Sequence, residues 1–206
     1  MVCDVVIPVY NEERQLRDSI LKLRNFLKNN LKIPWRIVIA DNGSTDGTLK
    51  LAQELGKEFP DVLSVHIEQK GRGRALRRVW LESQSDIVSY MDVDLSTDLS
   101  AFPPLIGAIT EGNDIALGSR LLSGARVKRS LKREIASRIY NIIIKIIHQT
   151  RFSDAQCGFK AMSRKAAGEL LPLVKDNEWF FDTELLILAE KRGYRIKEIP
   201  VKWIED

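Results

Sequence analysis

Two acids stand two residues apart in Asp92-Val93-Asp94, directly after the apolar run Ile87-Val88-Ser89-Tyr90-Met91. A continuous apolar run suits a strand buried on both faces of a parallel sheet. In open α/β sheets, ligands bind beyond the carboxyl ends of such strands. Two carboxylates delivered there repel each other unless a cation or hydrogen-bond donors join them. A hard divalent ion with oxygen ligands, bridging to a diphosphate, is the natural partner. The plainer reading of an isolated Asp-x-Asp is a solvated strand end.

Two further polar clusters follow apolar runs. Tyr10-Asn11-Glu12 follows Val5 to Val9, and Asp41-Asn42-Gly43-Ser44 follows Arg36 to Ala40. Parallel strands would set all three clusters along one sheet edge. Such an edge suits a sugar nucleotide, with hydrogen bonds to base and ribose and metal beneath the diphosphate. Taken singly, Asn11 and Ser44 read as helix caps. The loop Lys70-Gly71-Arg72-Gly73-Arg74-Ala75 combines glycine, cations and a helix start, which suits a phosphate-facing turn. It is not a dinucleotide fingerprint, because Leu76 stands where the last Gly or Ala belongs and the loop follows the third strand.

The elements that must position these residues are legible as periodicity. Glu12 to Leu31 reads as a helix, with Leu16, Ile20, Leu23 and Leu27 at three- and four-residue spacing. A second helix runs to about Phe59, Val62 to Ile67 is a third strand, and a third helix ends near Ser85. Ile87 to Met91 is strand four, Pro103 begins a helix, and Asp114 to Leu117 is strand five. This alternation specifies an α/β fold with a mostly parallel sheet flanked by helices. Beyond Gly118, Arg126 to Gln149 reads as one basic amphipathic helix, Gly158 to Ser163 as a short strand, and Phe181 to Arg192 as a helix ended by Gly193. Arg195 to Trp203 reads as a strand whose Pro200 implies an edge or a bulge.

Length and composition bound the function. A chain of 206 residues, 44% hydrophobic, builds one core, so residues 1–206 are expected to form a single domain. The net charge of +4 permits an anionic ligand or membrane surface. Cys3 and Cys157 form no Cys-x-x-Cys, which speaks against a zinc site or disulfide framework and fits a reducing, cytoplasmic setting. The start Met1-Val2-Cys3-Asp4 enters a strand directly, so no signal peptide is expected. No apolar run reaches the ~20 residues that span a bilayer. Six Lys/Arg lie between Arg126 and Arg138 against one acid, Glu134, and feed the run Ile139 to Ile147. That pattern describes an interfacial helix over 126–149 at the cytosolic face of a membrane; the rival reading packs the isoleucines on the sheet. A nucleic-acid partner is not expected, since no interleaved aromatic pattern accompanies the charge. His66 and His148 show no partner pattern. Asp182 and Glu184 read as helix-start acids. Trp179-Phe180-Phe181 suits either an acceptor path or core packing.

Pro8-Val9-Tyr10-Asn11-Glu12-Glu13, Asp41-Asn42-Gly43-Ser44-Thr45-Asp46-Gly47-Thr48 and Asp92-Val93-Asp94 together resemble the signatures of family 2 inverting glycosyltransferases of the GT-A (Rossmann-like) fold. Asp154-Ala155-Gln156-Cys157-Gly158-Phe159-Lys160 and Trp179-Phe180-Phe181-Asp182-Thr183-Glu184 resemble the dolichyl-phosphate glucosyltransferase branch, beside the dolichyl-phosphate mannose synthases. The resemblance implies a nucleotide-sugar half over 1–118 and an acceptor-side extension over 119–206. It implies that Pro8, Tyr10, Glu12 and Asp41 hold the nucleoside, with Asn42 where a second acid is common. It places Asp92 near ribose and diphosphate and, with Asp94, on Mg²⁺ or Mn²⁺; Ser96 stands where mannose synthases carry a glutamine ligand. By the resemblance, Arg120 and Arg133 match arginines that hold the acceptor phosphate, and Asp154 is the best candidate for a catalytic carboxylate near the acceptor, its need as a base depending on which acceptor is used. The implied reaction moves glucose or mannose from UDP-glucose or GDP-mannose to a polyprenyl phosphate. A transferase acting on a soluble hydroxyl is the nearest rival. A sugar-nucleotide pyrophosphorylase is more distant, because Tyr10-Asn11-Glu12 replaces its glycine-rich loop.

Overall fold

Strand order follows from how the helical crossovers return the chain to the sheet. β1 (Cys3–Val9), β2 (Trp35–Asn42) and β3 (Val62–Ile67) step outward in parallel, and β4 (Ile87–Met91) returns to the far side of β1. The computed structural model describes residues 1–205. The reversal between β1 and β4 is the topological switch point, where crossovers diverge and leave a crevice at the carboxyl ends. The tips carrying Tyr10 and Asp92 flank it.

Pleating sends alternate side chains to opposite faces. Cys3, Val5, Ile7 and Val9 pack against α1 (Glu13–Asn30), α2 (Thr48–Glu58) and α4 (Phe102–Thr110). Val6, Val38, Ala40, Val88 and Tyr90 pack against α3 (Arg72–Glu82), and the same core takes in α6 (Arg164–Leu170) and α7 (Phe181–Lys191). α1 buries the four residues its spacing selects, Leu16, Ile20, Leu23 and Leu27. A 3₁₀ turn, Leu99–Ala101, leads into α4, which therefore begins just before Pro103.

The second half joins the same sheet. β5 (Ile115–Ser119) is separated from β4 by β7 (Phe159–Ser163), which runs antiparallel to both. β8 (Ile196–Pro200) lies parallel to β5 at the sheet edge, so Pro200 ends an edge strand. The chain then crosses to a two-stranded sheet in which β9 (Lys202–Ile204) pairs with β6 (Arg126–Lys128). The single strand expected from Arg195 to Trp203 is thus two strands in two sheets.

Two other expectations are corrected. The helix expected over 126–149 begins only at Leu131, as α5 (Leu131–His148), because Arg126, Val127 and Lys128 are taken by the ladder to β9. Asn11 does not cap α1. It sits at φ 58°, and its side chain accepts the Thr45 N–H at 2.8 Å. It therefore ties the tip of β1 to the loop after β2, while Glu12 occupies the cap position without a side-chain hydrogen bond.

Candidate active site

A cavity of about 440 Å³ opens at the switch point. Pro8, Asn42 and Asp92 have the same strand parity as Val6, Ala40 and Tyr90, so pleating presents them on the α3 side, and all three line it. Tyr10, Glu12, Arg72 and Asp94 also line it, with Gln15, Lys70, Glu178 and Trp179. Sequence reasoning assigned Gln15, Glu178 and Trp179 to no donor role. Lys70 opens the loop read as phosphate-facing, and its ammonium lies 3.7 Å from the centre of the Tyr10 ring.

The loop at the start of α3 is fixed from two directions. The Gly71 N–H donates to Asn42 Oδ1 at 2.7 Å. Gly71 adopts φ 154°, and a Cβ there would lie 2.7 Å from the Asn177 carbonyl oxygen. The Val174–Phe180 segment is tied to the start of α3: Arg74 N–H donates to Asn177 O at 3.1 Å. Arg77 holds the same segment through Val174 O at 2.7 Å. Trp179 is thereby placed over the cavity although its side chain is 68% exposed.

The carboxylates differ in their surroundings. Asp92 Oδ1 accepts from an Arg72 terminal nitrogen at 2.7 Å. Burial pushes the Asp92 carboxyl up, against the opposing charge of Arg72. The chain packs so closely that a Cβ on Gly158 would fall 1.9 Å from Asp92 Oδ2. Asp94 Oδ1 accepts the Ser96 N–H at 2.9 Å, and Asp94 has no cation within salt-bridge distance among the described residues. Two carboxylates on one cavity wall fit a hard divalent ion by donor type, with diphosphate oxygens and water completing the shell. Among the described residues, no third His, Cys, Asp or Glu joins them as a ligand group. Ser96 contributes its backbone N–H to Asp94.

Asp41 lies outside the cavity lining. It shares the parity of Ile37 and Ile39 and so faces the α1–α2 side. Its Oδ2 lies 2.6 Å from His66 Nδ1, its partner across the β2–β3 ladder, and its Oδ1 is buried without a hydrogen-bond partner. His66, for which the sequence offered no partner, is placed by strand register.

The acceptor-side residues are not brought into the cavity. Arg120 follows β5 and closes on Asp154: Nε donates at 2.7 Å, a terminal nitrogen at 2.9 Å and the backbone N–H at 3.0 Å. Burial alone would push the Asp154 carboxyl up, but these donors and the Arg120 charge outweigh it and hold it below the ordinary carboxylate range. Asp154 is engaged as a buried ion-pair partner. Asp182 is engaged similarly. It accepts from Tyr90 Oη at 2.5 Å and lies 3.1 Å from the buried Lys160 ammonium, which also donates to Cys157 O at 2.6 Å. Burial, followed by the Asp182 charge, raises the Tyr90 hydroxyl well above its ordinary value. Asp182 is thus an ion-pair partner, while Glu184 accepts the Lys175 and Asp176 N–H groups. Arg133 stands apart on the first turn of α5, 69% exposed and paired with Glu205.

α5 is attached by one narrow stripe. Asn141 and Ile144 are buried, Tyr140 Oη bonds Thr183 Oγ1 at 2.7 Å, and Ala155 N–H donates to Asn141 Oδ1 at 2.9 Å. Leu131, Ile135, Ile139, Ile142, Ile143 and Ile146, spaced at three and four residues, remain exposed as a continuous apolar face. Of the isoleucines of α5, Ile144 alone is buried and joins the core, and the exposed ones do not. No helix among the described residues is long and apolar enough to cross a membrane.

Comparison with known proteins gives this geometry a family. The chain is 35% identical to Glycosyltransferase AglD of Haloferax volcanii, over 97% of this chain and 32% of that protein. It is 32% identical to a dolichyl-phosphate beta-glucosyltransferase of Saccharomyces cerevisiae, over 98% of this chain and 66% of that one. The chain thus spans less than two thirds of these curated relatives. Glucosyl-3-phosphoglycerate synthase of Mycobacterium tuberculosis, solved with UDP, superposes with a TM-score of 0.74 at 23% identity, covering 100% of this chain and 72% of that one. The same enzyme solved with Mn²⁺, UDP and phosphoglyceric acid gives 0.72. The mostly parallel, helix-flanked sheet is therefore that of GT-A glycosyltransferases. The profile of Glycosyl transferase family 2 matches residues 4–171, and with it the chain takes its place as a member of that family.

Proposed function

We propose that this chain transfers glucose or mannose, with inversion, from UDP-glucose or GDP-mannose to a polyprenyl (dolichyl) phosphate at the cytosolic face of a membrane. The observation that carries the acceptor is the state of Asp154 and Asp182, each buried and paired with a cation, outside the lining of the donor cavity. A hydroxyl acceptor must lose a proton, so it gains most from a free base. A phosphate monoester is already anionic and needs positioning instead. The similarity to a dolichyl-phosphate beta-glucosyltransferase over nearly the whole chain supports the same acceptor.

In this reading residues 1–118 hold the donor and 119–206 serve the acceptor side of one domain. Pro8, Tyr10, Glu12, Asn42 and Arg72 line the nucleoside-diphosphate cavity, with the buried Asp41 bracing β2 beside them. Asp92 and Asp94 would hold Mg²⁺ or Mn²⁺, which offsets the negative charge of the departing diphosphate. Lys70 and Arg72 add cationic donors to the lining of the same cavity, Lys70 over the Tyr10 ring and Arg72 at Asp92. Arg133, exposed and planar in its charge, is suited to grip the acceptor phosphate near the apolar face of α5. Arg120 serves by holding Asp154.

The deciding experiment crosses both donors with polyprenyl phosphate and with soluble hydroxyl acceptors, each with Mn²⁺ or EDTA. Transfer to a soluble hydroxyl and none to polyprenyl phosphate would overturn the reading. A second expectation concerns α5. Replacing Ile139 and Ile143 together by Glu should weaken partition onto anionic phospholipid vesicles by at least about tenfold, since each immersed isoleucine contributes on the order of 1 kcal/mol or more. The melting midpoint should change little, because both side chains are exposed. Unchanged vesicle sedimentation would remove the membrane from the proposal.

A further inference from the structure

Arg72 is bound to Asp92 in the cavity lining, although the resemblance reserves that carboxylate for ribose, diphosphate and metal. One guanidinium against two carboxylates leaves the Asp92–Asp94 wall negative, while Asp94 keeps no cation of its own among the described residues. Two carboxylates two residues apart repel each other unless a cation joins them, so a positive group at Asp92 stabilises the wall before any metal arrives. Arg72 meets that need with a single terminal nitrogen, at 2.7 Å.

The rest of the guanidinium is poised for other use. Its Nε is buried and has no hydrogen-bond partner. Its central carbon lies 5.2 Å from the centre of the Tyr90 ring and 5.0 Å from that of Trp179. Tyr90 is fully buried, whereas Trp179 is 68% exposed on the Val174–Phe180 segment. One ring is therefore a fixed floor and the other an outer wall open to solvent. Attraction to two ring faces is non-directional compared with a hydrogen bond, so it holds the guanidinium near the rings without fixing which oxygen it contacts. Arg72 is also the first residue of α3, whose N-terminus faces the same cavity and attracts an anion.

We infer that Arg72 is an exchangeable internal counter-cation. In the donor-free protein it neutralises Asp92; when a divalent ion and a nucleoside diphosphate enter together, it yields Asp92 to the ion and moves to the diphosphate. This rests on the donor and metal reading proposed above and adds a competition between a side chain and a metal for one carboxylate oxygen. It also has a signature that an ordinary phosphate-binding arginine lacks. Removing the competitor strengthens binding of the metal alone, while removing the phosphate contact weakens binding of the nucleotide. A single substitution must therefore move two affinities in opposite directions.

The test is calorimetry on the full chain with Mn²⁺ alone, and then with UDP and with GDP at saturating Mn²⁺. Arg72→Ala and the length-preserving Arg72→Gln are compared with wild type after their melting midpoints confirm folding. Each variant is expected to bind Mn²⁺ alone about fivefold or more tighter and the preferred nucleotide about tenfold or more weaker, the latter being ~1.4 kcal/mol. If wild type binds Mn²⁺ with nucleotide but the variants bind Mn²⁺ alone no more tightly, the exchange is refuted and the metal site stands. If neither wild type nor variant binds Mn²⁺ with either nucleotide, the metal site falls and the exchange falls with it. Nucleotide affinity unchanged in both variants also overturns the proposal.

Discussion

Asp94→Asn is expected to lower turnover roughly a hundredfold or more, about 2.7 kcal/mol of barrier at 1.36 kcal/mol per decade. The substitution isolates charge from fold because of what Asp94 does locally. Its Oδ1 accepts the Ser96 N–H, and an asparagine oxygen accepts that bond equally well. The carboxylate holds no cation among the described residues, so no ion pair of the fold is broken. The melting midpoint should therefore stay close to wild type while Mn²⁺ binding in the presence of nucleotide is lost. Asp92→Asn would be less informative, since it also strips Arg72 of its partner. Turnover with polyprenyl phosphate, assayed over a Mn²⁺ titration, checks the expectation. Wild-type rates in the variant, or full wild-type activity in EDTA, would remove the metal from the Asp92–Asp94 wall.

The legible parts of the fold were those whose signal is local. β4 matches its apolar run residue for residue, because a strand buried on both faces has no solvent-facing interruption to blur its ends. α1 was set by one apolar stripe and its flanks. The illegible parts depend on partners far along the chain. A three-residue strand such as β6 exists only because Lys202–Ile204 lies beside it, more than seventy residues later. β7 could be named as a strand, but its antiparallel place between β4 and β5 is decided by the topology of the whole second half. α6 went unrecognised although Ser163 was a usable start signal, its hydroxyl accepting the Ala166 N–H.

The site divides in the same way. Strand tips were readable, since parallel pairing puts Pro8, Asn42 and Asp92 along one edge. Both Asp41 and Asn42 were singled out, and pleating distinguishes them: Asn42 shares the parity of the α3-facing Ala40 and lines the cavity, while Asp41 faces the other side. The wall carrying Glu178 and Trp179 was not readable: its contact with α3 joins Arg77 to Asn177 across a hundred positions. Lys160 gave no sign of its role either. A lone lysine in a strand is ordinarily solvated, and only the coincidence of Tyr90, Asp182 and the Cys157 carbonyl allows it to be buried.

Arg120→Met is expected to produce the largest loss of stability, about 3–5 kcal/mol, the cost of leaving one member of a buried ion pair unpaired. For a chain of this size that lowers the melting midpoint by about 6–20 °C. Asp154 is fully buried and takes all three of its close hydrogen bonds from Arg120, so no other donor can compensate. Adding Asp154→Asn should recover most of the loss, because the amide removes the stranded charge and still accepts the backbone N–H of residue 120. The pH dependence should reverse as well. In wild type the Asp154 carboxyl is held below its ordinary value, so the pair's stabilisation is present above the ordinary carboxylate range and is lost as pH falls through the folded value. In Arg120→Met the buried, unpaired carboxyl is raised instead, so the variant binds a proton more readily when folded and becomes more stable as pH falls from neutrality. If Arg120 instead serves mainly to grip the acceptor phosphate, Arg120→Met should melt near wild type and raise the acceptor Michaelis constant. Thermal melts at neutral and mildly acidic pH, read beside acceptor kinetics, separate these outcomes, since a phosphate grip gives Asp154 no reason to titrate differently in the variant.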